Sequence, residues 1–166
     1  EIRVKSFFQS SLRLLRLLSQ DVTINTAVLA LLGDFISNAE LHGGDNTESM
    51  LLQPTDAIVM AQNKIIGGIE FLLEHTKYAF IIPCHSGNHA RTTHKTRFGN
   101  ENGHSLEYLM YLHLAAYFRK EKRITFQIAE GMHSYLEVYG RTVRFQHGHA
   151  VKYGGGVGGI YIPVNR

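Results

Sequence analysis

At 166 residues, 44% hydrophobic and 19% charged, the chain can bury one ordinary core but is short for two, so a single domain over 1–166 is expected. No window reaches the roughly 18 apolar residues of a membrane span, no basic-then-apolar leader opens the chain, and the one cysteine, Cys84, excludes both an internal disulfide framework and a thiolate zinc site. The net charge of +3 is uneven: the first 83 residues carry six Lys/Arg against nine Asp/Glu and the last 83 eleven against five, which makes the second half the expected seat of an anion.

Residues 5–20 read as an amphipathic helix with Phe7, Leu14 and Leu18 on its buried stripe, Phe8, Leu12 and Leu15 beside it, and Arg13 and Arg16 outside. TAVLALLGD (26–34) is a nearly unbroken apolar run ending in Gly-Asp, the pattern of a strand buried on both faces with a carboxylate at its C-terminal end. A polar stretch, 38–54, precedes a helix from about Thr55 to His75 whose inner side is marked by Ile58, Ile65, Ile69 and Leu72; Gly67-Gly68 within it predicts close packing against another element. YAFIIP (78–83) is the next buried strand and opens into a long polar loop, 84–103.

A helix follows from Ser105 to about Arg119, with Leu106, Leu109, Met110, His113 and Tyr117 at helical spacing, and the basic run 119–123 forms its solvated end. The period then changes to two. Ile124, Phe126 and Ile128 mark one strand, Leu136 and Val138 a second, and, after a turn at Tyr139-Gly140-Arg141, Val143 and Phe145 a third, with His147 and His149 continuing its parity. The glycines at 154–159 match no phosphate-binding loop and predict a tight turn. The order α, β, α, β, α and then hairpin strands predicts an α/β layered fold.

Three features stand at three expected strand ends: Gly33-Asp34, Gly87-Asn88-His89 and His147-Gly148-His149. In an α/β sheet such ends share one edge, so residues about 50 apart in sequence can meet in one crevice. Asp, Asn and His suit divalent Mn, Fe, Zn or Ni, and a carboxylate can bridge two ions about 3.5–4 Å apart. His85, His94 and His104 read as plain loop residues, His113 as a core histidine and Cys84 as packed and inert.

GD (33–34), GNH followed by Arg (87–91) and a strand ending in HGH (147–149) resemble the second, third and fourth signature blocks of the calcineurin-like metallophosphoesterases. The stretches GNHARTTHKTRF and VRFQHGHAVKYGGG are similar to its bacteriophage-type branch, and the likeness runs from about Thr26 to Gly159. It implies a layered α/β/β/α sandwich and hydrolysis of a phosphodiester or phosphomonoester by a water activated at two divalent ions, Mn2+ first, with Fe2+, Zn2+, Ni2+ or Mg2+ as alternatives. On this resemblance Asp34 bridges the metals, Asn88 and His147 bind the second ion with His149 as a further ligand, and His89 contacts phosphate and protonates the leaving oxygen. Arg91 is a candidate phosphate contact from its charge and position alone. The implied substrate is DNA or a nucleotide and the setting the cytoplasm of a bacterial or phage-infected cell, with no membrane partner.

Two blocks of the family pattern are missing. No Asp-x-His precedes Asp34, no Gly-His-x-His follows Gly159, and Ser37 stands where the second block usually continues with an acid or His. The expectation is a piece whose flanking strands lie outside this sequence, so that the sandwich is incomplete at both ends. His147-x-His149 also fits the last block with Gln146 replacing its Gly and His133 as the fourth. Two rivals stay open: a non-catalytic nucleic-acid-binding or assembly module with an incomplete metal centre, and a hydrolase using one Zn2+ held by Asp34, His89 and His147.

Overall fold

The computed structural model describes residues 2–37, 52–95 and 99–151. Positions 38–51, Arg97 and the glycines at 154–159, on which some of these expectations fall, lie outside the described residues. Helix α1 (Ile2–Leu18) precedes strand β1 (Thr26–Val28), and helix α2 (Pro54–His75) leads to strand β2 (Ala79–Cys84). A 3-10 turn (Asn102–His104) runs into helix α3 (Leu106–Tyr117), which is followed by β3 (Ile124–Ile128) and the hairpin strands β4 (Ser134–Val138) and β5 (Arg141–Phe145). β1, β2 and β3 form a parallel sheet in that order, with Thr26 opposite Ala79 and Phe80 opposite Ile124, while β4 and β5 form a separate antiparallel pair. The fold is mixed α/β, and no helix among the described residues is long and apolar enough to cross a membrane.

β2 is central because its side chains are the most apolar: Ile82 and Cys84 are completely buried. α1 packs on α2 and α2 on α3, and their inner faces close over the sheet through Phe8, Ile69, Leu72, Tyr111 and Leu114. Arg123 ties the end of α2 in place, donating to the carbonyls of Leu73 (3.1 Å) and Thr76 (3.0 Å) while pairing with Glu121. It is thus a cap for the last turn of α2, rather than part of a solvated basic end. The hairpin turns at Tyr139 (φ 52°) and Gly140 (φ 75°), the left-handed pair that two-residue hairpin turns require.

Three expected faces are corrected. In α1, Phe8 and Leu12 are buried, whereas Phe7, Leu14 and Leu18 are half exposed. The winning stripe is the one opposite Gly68, where a Cβ would collide with the Phe8 ring. In α3 the buried positions are Glu107, Met110, Tyr111 and Leu114, so the helix is turned by about one residue from the expected phase, and Leu109, His113 and Tyr117 face outward. β1 is not buried on both faces: among the described residues it is a sheet edge with Val28 exposed, although its ladder continues through the Leu29 N–H to the Ile81 carbonyl and the Leu31 N–H to the Pro83 carbonyl.

Candidate functional site

The parallel sheet fixes the place where chemistry can collect. Leu31 bridges to Cys84, so the chain leaving β1 and the chain leaving β2 travel side by side past the same sheet edge. Gly33 (φ 90°) and Asp34 (φ 56°) then turn through the left-handed region, which glycine adopts freely and aspartate tolerates better than most residues. A Cβ at Gly33 would strike the backbone of Gly87, and one at Gly87 would strike the Asp34 carboxylate. The two glycines therefore let the Gly-Asp and Gly-Asn-His turns lie in backbone contact.

This contact sets the geometry around Asp34. Its Oδ1 accepts the backbone N–H of His89 at 3.1 Å, while its Oδ2 lies 3.2 Å from Nε2 of His147 and 4.0 Å from Nε2 of His89. The sequences that contribute these atoms are 55 and 113 residues from Asp34, and the third arrives on the stretch leaving β5. Asn88 sits half-buried between Gly87 and His89 in the same turn. Asp34 and His89 are each about one-third exposed, so solvent reaches the carboxylate and the imidazole together.

His147 carries the informative hydrogen bond. Its Nδ1 lies 2.5 Å from the Leu32 carbonyl, which can only accept, so the proton is on Nδ1. Nε2 then faces Asp34 Oδ2 either with a proton of its own or with a lone pair. In the second case two acceptors oppose each other, and only a shared cation relieves them. An imidazole anchored by Nδ1 to a carbonyl is the usual arrangement for a ligating histidine. Two donors about 3 Å apart also match one edge of the shell around a divalent ion with bonds of about 2.1 Å. Among the described residues no group of three or more His, Cys, Asp or Glu side chains is arranged to hold a metal ion. The two donors that approach each other are thus a pair, Asp34 and His147, with Asn88 in the adjoining turn.

His149 and Arg91 sit elsewhere than the sequence suggested. Nε2 of His149 is 3.2 Å from Oε2 of Glu101 and both side chains are about nine-tenths buried, so His149 is hydrogen-bonded to Glu101 beside the centre. Its ring centroid is 5.2 Å from that of His147. Arg91 is 8% exposed and its guanidinium donates to the carbonyls of Asn88 (2.5 Å) and Thr93 (3.0 Å), so in this structure it holds its own loop in shape rather than facing a substrate.

The positions of two further residues, Glu107 and His85, gave no sequence signal. Glu107 is fully buried, and its carboxylate accepts the N–H groups of Phe35 at 2.6 Å and Gly87 at 2.7 Å. Burial pushes its carboxyl above the ordinary range, with the Asp34 charge adding to it, and backbone N–H groups of Gly87, Phe35 and Asp34 pull the other way. His85 is no plain loop residue: it is 2% exposed, lies 2.7 Å from the Ser134 hydroxyl through Nε2 and receives the Tyr111 hydroxyl on its carbonyl. Burial first, and then the neighbouring His133 and His147, hold its pKa down at about 4. A cavity of about 20 Å3, large enough for one water, lies between His85, Ser86, Glu101, His147 and His149. The Cys84 thiol is completely buried, and burial raises its pKa, so it stays protonated and unreactive.

Compared with known proteins, the chain matches no family model, no curated protein and no solved structure.

Proposed function

We propose that the chain carries the core of a metal-dependent phosphoesterase of the calcineurin-like kind, its mixed α/β elements belonging to a layered α/β/β/α sandwich. The observation that carries this reading is the convergence of Asp34, His89 and His147 from three separate stretches onto one sheet edge, with Nε2 of His147 turned to Asp34. Asp34 and His147, with Asn88 in the adjoining turn, would hold one divalent ion, Mn2+ as first choice, and a second ion of a dinuclear centre would need ligands other than those grouped among the described residues. When bound, they supply Lewis acidity at the phosphoryl oxygens and a water of lowered pKa.

The side chains of this chain do the remaining work. The Leu32 carbonyl accepts the Nδ1–H of His147 and so fixes the ring with its Nε2 toward Asp34. Asp34 is kept from rotating by the His89 N–H on Oδ1, so Oδ2 stays directed at the centre. His89 is solvent-accessible and beside the carboxylate, and in this reading its imidazole would hand a proton to a leaving oxygen. The eleven Lys/Arg of the second half favour a polyanionic substrate, a phosphodiester in nucleic acid or a nucleotide.

The test is hydrolysis of bis-p-nitrophenyl phosphate by the protein supplied with Mn2+. Asp34→Ala is expected to lower the rate by at least about a thousandfold and His89→Ala by about 10²–10⁴-fold. Rates equal to the unmutated protein in both variants would remove the reading. The exposed Arg119, Lys120 and Lys122 favour a second one, a nucleic-acid-binding module. It predicts DNA affinity that falls steeply with salt and is the same with and without Mn2+.

A further inference from the structure

We propose that Glu107 is the positioning residue of this centre: by holding the N–H groups of Phe35 and Gly87 at once, its carboxylate sets the separation of the two turns that carry Asp34 and Asn88. The inference rests on the metal-centre reading and adds to it a residue from α3 that touches neither cation nor substrate.

The geometry is specific. Phe35 directly follows Asp34 and Gly87 directly precedes Asn88, so the two accepted N–H groups belong to the residues adjoining two proposed ligands. The bonds span 72 and 20 residues of sequence and reach both turns from a third element. α3 in turn is fixed: Tyr111, one turn further along, donates to the His85 carbonyl at 2.8 Å, and Met110 and Leu114 are buried in the core. The carboxylate also lies in the first turn of α3, where the helix N-terminus favours a negative charge. A buried acid that served only to fill space would be better replaced by an apolar side chain, because its charge costs free energy to desolvate. Here one oxygen accepts from Phe35 and the other from Gly87, with the Asp34 N–H as a further backbone donor to the carboxylate, so the bonds reach both turns.

Glu107→Gln separates this role from core filling. The amide keeps the volume and one acceptor, but turns an N–H2 toward the second backbone N–H, which opens one arm of the clamp. Mn2+ affinity, measured by calorimetry on the full chain, is expected to fall by about 10–100-fold. Leu114→Ala, which removes core volume on the same helix without touching either turn, is expected to lower the melting temperature at least as much and leave Mn2+ affinity within about twofold. Affinity unchanged in Glu107→Gln, or lost equally in Leu114→Ala, overturns the proposal.

Should Glu107→Gln not fold, linkage provides a measurement on the unmutated chain. A clamp that positions the cation must itself be stabilised when the cation binds. Amide exchange in peptides spanning 33–37 and 86–90 should slow at least about tenfold with Mn2+, and exchange indifferent to the metal overturns the role. Asp34→Ala distinguishes the two levels of inference. If Asp34→Ala abolishes Mn2+ binding while Glu107→Gln preserves it, the centre stands and the clamp falls; if the unmutated chain binds no Mn2+, the centre falls.

Discussion

The two flanks of this molecule are held by different means. At the C-terminal edge of the sheet, polar groups from distant elements bind one another: Glu107 to two turns, Tyr111 to the His85 carbonyl, Asp34 to the His89 N–H, while Arg91 braces its own loop. At the α1 flank the contact is apolar, through Phe8 and Leu12, while Phe7, Leu14, Leu17 and Leu18 are at least half exposed and Phe7 lines a groove of about 540 Å3. Hydrogen bonds are directional and fix where an atom is, whereas apolar burial fixes only that two surfaces are close. The site edge should therefore respond to changes in charge and proton count, and the α1 flank to changes in volume.

The largest effect expected on the apolar side is at Phe8. Phe8→Ala removes a ring that is 5% exposed and seated over Gly68, and should destabilise the fold by about 3–5 kcal/mol in urea unfolding. Phe7→Ala, next to it but 51% exposed, should change stability by no more than about 0.5 kcal/mol. Equal losses would mean that α1 is not held by a single stripe, and the contrast between the two flanks would weaken.

The site edge is probed by acid. His85 has its pKa lowered from 6.5 to about 4, by burial and then by the nearby imidazoles of His133 and His147. Between those values the unfolded chain takes up a proton at this position that the folded chain refuses, so stability rises with pH across the window. The contribution is complete above about pH 6.5 and is lost as pH falls toward 4, up to about 3 kcal/mol. In His85→Gln the drop in unfolding free energy from pH 7 to pH 4.5 should shrink by about 2 kcal/mol. An unchanged drop would show that the imidazole is not held neutral.

The same contrast explains what could be seen in the sequence. Gly33-Asp34, Gly87-Asn88-His89 and His147 were legible because unusual residue types at strand ends are a local signal, and a parallel sheet gathers strand ends on one edge. The α2 stripe of Ile65, Ile69 and Leu72 was legible because the rest of its turn pattern is polar enough to set the phase. α1 was phased wrongly because its leucines and phenylalanines cover too wide an arc to choose between stripes, and only Gly68, some sixty residues away, decides. α3 was phased wrongly because Glu107 reads as a solvent-facing acid, as nearly all glutamates are. Its two partners are 72 and 20 residues distant and leave no periodic trace in the sequence. Arg91 misled in the same way, since a basic residue after a Gly-Asn-His turn gives no sign that carbonyls of its own loop will claim it.

The smallest effect gives the sharpest comparison, because it lies within one dipeptide of α2. Gly67 and Gly68 are both helical, and each loses about 0.5–1 kcal/mol of helix propensity relative to alanine. A Cβ at Gly67 meets nothing within 4 Å, so Gly67→Ala should stabilise the protein by about that amount. A Cβ at Gly68 meets the Phe8 ring, so Gly68→Ala should instead destabilise it by about 1–3 kcal/mol as α1 is pushed off α2. The obstacle is a side chain, so the cost should largely disappear when Gly68→Ala is combined with Phe8→Leu, a coupling that a double-mutant cycle reads directly. If the two alanines raise stability alike, α1 does not rest on Gly68, and the stripe that holds the apolar flank has been assigned to the wrong side of the helix.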